Sequence, residues 1–226
     1  MMHKVVSNQG LGNLSGKGKR LATGRTRGVG SEHAHRRNEI ADAVLAVVAE
    51  RGLAAVSLAA VAAQAGVSPG RVQHYFPTKR GLIEAAFERG NALSSGRITA
   101  KASPDDRDVS RRRLLTVVLT ELIPYDATTR AHLRVRQSFT AAALADEAIA
   151  ARLRVDYANL HGQLANLLRG DQAAGHLRAR TDPEEGAVTL VALAEGLAYY
   201  VLIGVCPAEA ARDQVLAAIS EVYAAA

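Results

Sequence analysis

The sequence predicts an all-α protein with a three-helix segment near its N-terminal end and a larger helical region after it. Apolar residues recur at steps of three and four through most of residues 36–224, which is the period of a helix with one buried face. Runs that alternate β-branched with polar residues, as strands do, are few. The apolar residues are mostly Ala, Leu and Val, and with 4% aromatic residues and no Trp they favour closely packed helices over sheets.

The stretch from Ser57 to Lys79, SLAAVAAQAGVSPGRVQHYFPTK, organises the N-terminal part. Ser57 stands at an N-cap position before a helix with one apolar face. That face is formed by Leu58, Val61, Ala62 and Ala65. Gly66 follows where helices often end in a left-handed residue. The pattern therefore predicts a short helix that stops at a tight turn.

A second short helix begins at Ser68-Pro69, because Ser is a strong N-cap and Pro fits the first helical position. Val72 and Phe76 lie four residues apart on its apolar face. Thr78 then caps a further helix, which we expect to extend to about Ser95. Two helices joined by a Gly-containing turn form a helix-turn-helix, whose second helix lies in the major groove of DNA.

The polar face of the second helix carries side chains suited to DNA. Arg71 can donate two hydrogen bonds to guanine, and Gln73 can pair with adenine. Further candidates for contacts with DNA, chiefly with its phosphates, are Ser57, Ser68, Pro69, Gly70, His74, Tyr75, Thr78 and Lys79. The residues alone leave open a plain helical hairpin with a solvated polar face.

The run AGVSPGRVQHYFPTKRGLIEAAF resembles the DNA-binding region of TetR-family transcriptional regulators. The resemblance rests on the Gly-Val-Ser turn, the Tyr75-Phe76 pair and the Thr78-Lys79 pair, and it covers residues 36–90. Two departures matter: Ala59-Ala60 replaces polar or basic contacts that relatives often have, and Gln73 stands where many have Tyr. The operator sequence therefore cannot be carried over from a relative.

The positive charge is concentrated in the N-terminal part of the chain. Residues 1–90 have 13 Lys+Arg against 6 Asp+Glu, whereas residues 91–226 have 15 against 16. A basic segment beside a nearly neutral one is typical of a nucleic-acid-binding module joined to a second module. We expect a basic disordered tail over residues 1–31 and a helix-turn-helix DNA-binding domain over 32–90, and the resemblance implies an effector-binding and dimerisation domain over 91–226.

The second half shows a series of helical patterns. A polar stretch over residues 94–110 interrupts the period, and the next helix should end at Pro124. Further helices are expected over about 127–144, from Asp146 onward, over about 183–205 and over about 207–224. The helix over 183–205 is apolar nearly all round, so most of its surface must be buried.

The resemblance implies a C-terminal helical domain that binds an effector and forms a homodimer through the last two helices. It implies a ligand-responsive repressor that a small organic effector releases from a palindromic operator. Polar or aromatic residues on otherwise apolar faces are candidates for the effector site, namely Arg136, Phe139, Tyr157, His161, Glu195 and Tyr199. A mostly aliphatic wall with few polar groups suits a small, mostly apolar effector. The C-terminal half also loosely resembles the subgroup of the betaine-pathway regulator.

Other classes of protein fit the sequence less well. Residues 187–206 are long and apolar enough to suggest a membrane span, but Glu195 near their middle favours a buried helix at a subunit interface. Without the apolar core of a signal peptide, we expect a cytoplasmic protein. No nucleophile–base pair, metal-ligand spacing or cofactor motif is recognisable, so we expect neither an enzyme nor a bound metal or cofactor. The remaining alternative is a helical dimerisation or small-molecule-binding protein without sequence-specific DNA binding.

Overall fold

The computed structural model describes residues 27–102 and 110–224, and within these ranges the chain folds into nine α-helices. A short 3₁₀ turn, Leu53–Ala55, follows the first of them. No β-strand forms in the described ranges, although Leu177 and Tyr223 make a single antiparallel bridge. The helices are α1 (Arg27–Arg51), α2 (Leu58–Ala65), α3 (Pro69–Tyr75), α4 (Lys79–Lys101), α5 (Arg111–Glu121), α6 (Ala127–Ala143), α7 (Glu147–Ala173), α8 (Pro183–Ile203) and α9 (Ala208–Val222).

The predicted helix-turn-helix is confirmed down to its caps. The hydroxyls of Ser57, Ser68 and Thr78 each accept a hydrogen bond from the backbone N–H three residues later, at 3.0–3.2 Å. Each bond satisfies one of the free amides at the start of a helix. Gly66 ends α2 in the left-handed region, with φ of 64°. These local interactions orient α3 relative to α2.

Two hydrophobic cores hold the chain together. The first unites α1–α4 and includes Val44, Val72 and Leu82, which are fully buried. It continues into α6 and the start of α7, where the Phe139 ring stacks on Phe87 with centroids 4.4 Å apart. The second core joins α5, α7, α8 and α9. Because a buried Phe or Leu contributes about 1.5–3 kcal/mol, the shared first core fixes the DNA-binding segment firmly against α6.

Helix α4 is longer than the sequence pattern indicates, because it continues to Lys101 instead of ending near Ser95. The prediction of a break from residue 94 was wrong, and an ion-pair cluster explains why. The carboxylate of Glu121 in α5 is buried, and it accepts hydrogen bonds from Arg97 and Lys101 of α4. The local sequence pattern of α4 does not reveal this partner, because Glu121 lies on a different helix.

The N-terminal tail lies mostly beyond the described ranges. Residues 1–26 of the predicted disordered segment 1–31 are outside the described residues, whereas residues 27–31 belong to α1. Residues 103–109 of the polar stretch 94–110 also lie outside them. Helix α1 thus begins inside the segment that the sequence predicted to be a disordered tail.

Helix α8 is the one helix in the described ranges that is long and apolar enough to cross a bilayer. Length and composition alone give this result, and the core helix of a soluble protein also meets both conditions. In this fold α8 buries one face in the second core, with Leu190, Val191, Ala194 and Val201 at most 2% exposed. The burial of this face is what a core helix requires.

Candidate nucleic-acid interface and effector cavity

Helix α3 buries its apolar side and exposes the polar side that the sequence assigns to DNA. Val72 and Phe76 are 0% and 2% exposed and anchor α3 to the first core. Tyr75 is half-buried. The other candidate DNA contacts are all exposed, namely Ser57, Ser68, Pro69, Gly70, Arg71, Gln73, His74, Thr78 and Lys79. This arrangement makes α3 available to a groove of DNA.

The beginning of α1 lies beside α3. The sequence pattern does not indicate that these two segments are close together. The Tyr75 ring packs against His33 with centroids 4.8 Å apart, and its carbonyl accepts a hydrogen bond from Arg37 at 3.3 Å. The exposed Arg36 borders the same cleft as Arg71. The positive charge of the Arg36-Arg37 pair can be read from the sequence. The position of this pair beside α3 cannot, because it depends on packing between helices. His33 and Arg36 therefore join the candidate DNA-contacting residues.

Ionic and cation–π contacts brace α1 against the rest of the segment. Arg89 of α4 donates to both carboxylate oxygens of Asp42 in α1, at 2.7 and 2.9 Å. The hydrogen bond to Asp42 raises the pKa of Arg89 above its ordinary value. The Arg37 guanidinium lies 4.5 Å from the Phe76 ring centroid. Together these contacts hold α1, α3 and α4 as one unit.

A cavity of about 300 Å³ lies among α4, α6, α7 and α8. This volume is at the lower end of the range for small-molecule sites. Helix α4 begins at the end of the helix-turn-helix and continues without a break into the wall of this cavity. The lining residues are Phe87, Asn91, Ser94, Ser95, Leu122, His132, Arg136, Leu153, Asp156, Tyr157, Asn159, Leu160, Gln163 and Glu195.

Three polar side chains meet in the wall of this cavity. The Tyr157 hydroxyl lies 2.8 and 3.0 Å from the two carboxylate oxygens of Glu195 and donates to that carboxylate. Arg136 Nη1 lies 3.6 Å from Glu195 Oε1, and Arg136 Nη2 is buried without a hydrogen-bond partner among the described residues. Burial, together with the negative charge of Glu195, raises the pKa of Tyr157 to about 12. Tyr157 therefore stays protonated and remains a donor.

His132 occupies another part of the wall. Its Nε2 lies 3.2 Å from Asn91 Oδ1, which links α6 to α4. Burial, together with the positive charges of Arg136 and Arg97, lowers the pKa of His132 to about 4. The imidazole is therefore neutral near pH 7. The His132 ring packs closely on the α4 backbone here, since a Cβ added to Gly90 would lie 2.0 Å from His132 Cδ2.

Models of two known protein families match separate parts of this chain. Residues 40–86 match bacterial regulatory proteins of the TetR family, and residues 111–224 match the C-terminal domain of BetI-type transcriptional repressors. The second match alone covers half of the chain. The chain belongs to the TetR family of transcriptional regulators. It is accordingly a DNA-binding regulator and not an enzyme.

Individual relatives agree with this assignment. The transcriptional regulator BetI of Ectopseudomonas mendocina is 30% identical over 142 residues, which are 61% of this chain and 72% of the relative. A TetR-family regulator from Rhodococcus sp. superposes with a TM-score of 0.69 at 30% identity, covering 84% of this chain and 100% of the other. A regulator from Saccharomonospora viridis, solved in complex with choline, superposes with a TM-score of 0.73 at 22% identity, covering 85% and 100%. The last match establishes the shared fold alone.

In the structure of this TetR-family regulator, three of the six predicted effector residues line the cavity and three do not. Arg136, Tyr157 and Glu195 line the cavity. Phe139 stacks on the cavity-lining Phe87 from the core side, and His161 lies beside Tyr157 with ring centroids 5.9 Å apart, so neither is part of the wall. Tyr199 is 45% exposed on the outer side of α8 and does not line the cavity either.

The wall of this cavity is more polar than the mostly aliphatic wall that the sequence predicts for the effector site. Asn91, Ser94 and Ser95 of α4 supply polar groups that are not among the predicted effector residues. The apolar part consists of Phe87, Leu122, Leu153 and Leu160. In the described part of the regulator, no group of three or more His, Cys, Asp or Glu residues could hold a metal ion.

The outer face of α8 is apolar and lacks a partner within the described chain. Its exposed apolar side chains are Val188, Tyr199, Tyr200 and Ile203, each between 45% and 53% exposed. A spacing of four residues places Tyr199 and Ile203 on the same side of the helix. A set of large exposed side chains on one helix is typical of a protein–protein contact surface.

Proposed function

We propose that this regulator binds a near-palindromic operator as a homodimer and acts as a repressor that a small organic effector releases from DNA. The observation that carries the proposal is the continuity of α4. Its N-cap, Thr78, lies directly after α3, while Asn91 and Ser94 further along the same helix line the cavity. A ligand that displaces the middle of α4 therefore also displaces the start of α4 and the adjoining α3.

The coupling between the two sites must be reciprocal. An effector that favours a conformer with misplaced α3 helices weakens DNA binding, and DNA weakens effector binding by the same factor. In a dimer the two α3 helices must enter successive major grooves about 34–36 Å apart. A small change in the direction of α4 in both protomers is enough to alter that spacing.

The exposed polar face of α3 supports specific DNA recognition. Arg71 and Gln73 are exposed on this face and would contact base edges, and the exposed Lys79 at the start of α4 would contact a phosphate. His33 and Arg36 at the beginning of α1 extend this surface. Because the target is operator DNA, we also propose a cytoplasmic location.

The exposed apolar face of α8 supports a dimer formed through the last two helices. When two copies pair α8 and α9 across a two-fold axis, the faces that contain Tyr199 and Ile203 are covered. Obligate interfaces of this kind are more apolar than ordinary surfaces. Pairing through α8 and α9 also accounts for a helix that is apolar on both its inner and its outer side.

The experiment that tests the proposal selects operators from a random duplex library with the purified full-length protein. We expect an inverted repeat to be enriched and bound by a dimer. The Arg71→Ala variant should lose about 1–3 kcal/mol of binding free energy and relax specificity at one base pair, whereas Lys79→Ala should weaken all sequences alike and flatten the salt dependence. Arg169→Ala, an exposed change on α7, serves as the matched control.

An intact dimer that enriches no sequence would reject DNA recognition. The result would then favour the other candidate, a helical dimerisation or small-molecule-binding protein without sequence-specific DNA binding. Equal binding by the wild type and by the Arg71→Ala, Lys79→Ala double variant would reject the assignment of α3 as the DNA-reading helix.

A further inference from the structure

The charges inside the effector cavity cancel one another. Arg136 and Glu195 have side chains only 15% and 24% exposed, and they face each other at 3.6 Å. Asp156, the other acidic residue of the wall, is 46% exposed at the rim and lies 3.9 Å from Arg152. His132 is neutral near pH 7 because burial lowers its pKa to about 4. The interior of the site therefore has no net charge.

A ligand that brought its own charge into this interior would lack a counter-charge. Removing an ion from water costs several kcal/mol unless an opposite charge and hydrogen bonds replace the lost hydration. The positive charge of Arg136 is already matched by Glu195, and both carboxylate oxygens of Glu195 lie near the Tyr157 hydroxyl at 2.8 and 3.0 Å. The cavity therefore favours an uncharged ligand over an anion or a cation.

Arg136 has hydrogen-bond donors to spare. A guanidinium has five N–H donors and no acceptor. Its Nη1 lies too far from Glu195 for a hydrogen bond, and its buried Nη2 has no partner among the described residues. The side chain also borders a separate void of about 20 Å³, which has room for about one water. It can thus serve a water on one side and a ligand oxygen on the other.

We propose that the effector is an uncharged organic molecule whose carbonyl oxygen, as in an amide, ester, lactone or ketone, accepts a hydrogen bond from Arg136. Its apolar part packs against the four apolar side chains of the wall, which are Phe87, Leu122, Leu153 and Leu160. The inference rests on the function proposed above and specifies the chemical class of the effector. Arg136 is the residue that would select for a carbonyl group in the ligand.

The test compares probes that share an eight-carbon chain and differ in their polar group. The probes are octanamide, γ-octalactone, octanoate and octyltrimethylammonium, with choline as a small cation. Two readouts are used with the full-length dimer: the melting temperature without DNA, and release of the selected operator. We expect octanamide or γ-octalactone to raise the melting temperature and release DNA, while the charged probes do neither. Arg136→Met should weaken the carbonyl probes about tenfold, because a hydrogen bond to a charged group is lost.

A second variant keeps the proposal testable if Arg136→Met folds poorly. Glu195→Gln leaves Arg136 without its counter-charge, and the geometry of the amide still allows a hydrogen bond with Tyr157. We expect this variant to reverse the preference, so that octanoate becomes a better ligand than octanamide. A variant that keeps the wild-type preference would overturn the charge-balance argument.

The outcomes separate this proposal from the function on which it rests. Release of the wild type by octanoate, octyltrimethylammonium or choline, but not by the carbonyl probes, overturns the proposal and leaves the regulator intact. A panel in which no probe changes the melting temperature also overturns it. Failure of the proposed function is a distinct result, because the wild type would then bind no operator even before a probe is added.

Discussion

Arg80 and Asp146 form an ion pair, with Nη1 2.6 Å from Oδ2, that joins the first turn of α4 to the N-cap of α7. The other carboxylate oxygen of Asp146 accepts from the amides of Ala148 and Ile149. One side chain therefore both caps α7 and anchors α4. Further along, Arg152 of α7 pairs with Glu88 of α4 at 3.0 Å. The end of the helix-turn-helix is thus tied to one wall of the candidate effector cavity.

The Asp146→Asn variant should alter communication between the two sites. The amide oxygen can still cap α7, but the charge that attracts Arg80 is lost. Exposed pairs contribute little to stability, so the melting temperature should change little. The factor by which a releasing probe weakens operator binding should change roughly two- to tenfold, measured by fluorescence anisotropy. Glu147→Gln, which removes an exposed charge that pairs with Arg154 within α7, is the control. An unchanged factor would show that the pair does not transmit the signal.

The Ile203→Glu variant should dissociate the dimer. Ile203 is 53% exposed on the outer face of α8, and a carboxylate buried there by a second copy would lack a partner. We expect a monomer by light scattering at micromolar concentration, with the helical circular-dichroism spectrum retained. Val155→Glu is the matched control, because Val155 is 60% exposed but lies on α7. A dimer that survives Ile203→Glu and is lost with Val155→Glu would move the interface to α7.

Two glycines of α4 should respond in opposite ways to alanine. At Gly90 a Cβ would lie 2.0 Å from the His132 ring, so Gly90→Ala should destabilise the protein by about 1–3 kcal/mol through overpacking. Gly96 has no neighbour within 4 Å of the added carbon, so Gly96→Ala should stabilise it by up to about 1 kcal/mol through helix propensity. Urea denaturation measures both. Equal effects of the two changes would contradict the close approach of α4 and α6.

The stability of the protein should fall below pH 6.5 partly because of His132. Its pKa is lowered to about 4 in the folded state by burial and by Arg136, against 6.5 for an ordinary His. Between these values the unfolded chain binds the proton and the folded chain does not, so acid favours unfolding. The penalty from this group should reach about 3 kcal/mol near pH 4. The measurement is the difference in unfolding free energy between the wild type and the His132→Gln variant, taken at pH 7 and again at pH 4.5. The change in this difference gives the contribution of His132, because the carboxylates titrate in both proteins. A difference that does not vary with pH would contradict the shift.

The helix-turn-helix could be predicted from the sequence because its determinants are local. The caps at Ser57, Ser68 and Thr78 act over three residues, and Gly66 supplies its own left-handed conformation. Interactions of this range appear directly as spacing in the chain. The end of α4 could not be predicted in the same way, because Glu121 lies on another helix.

The lining of the candidate effector cavity was only partly predictable. Arg136, Tyr157 and Glu195 were identified as polar residues on apolar faces, and the fold brings them together around the cavity. Tyr199 satisfied the same rule but lies on the outer side of α8. Because α8 is apolar nearly all round, its period does not indicate which side faces the cavity and which faces outward.

The amino-acid sequence by itself determined the helical class, the caps and turn of the DNA-reading unit, and the residues that α3 exposes. These depend on propensities and hydrogen bonds between residues close together in the chain. Only the tertiary structure decided that Arg136 faces Glu195, that α1 borders α3, and that α4 provides part of the cavity wall. Such pairings join residues far apart in sequence, and the packing of helices against two shared cores selects them.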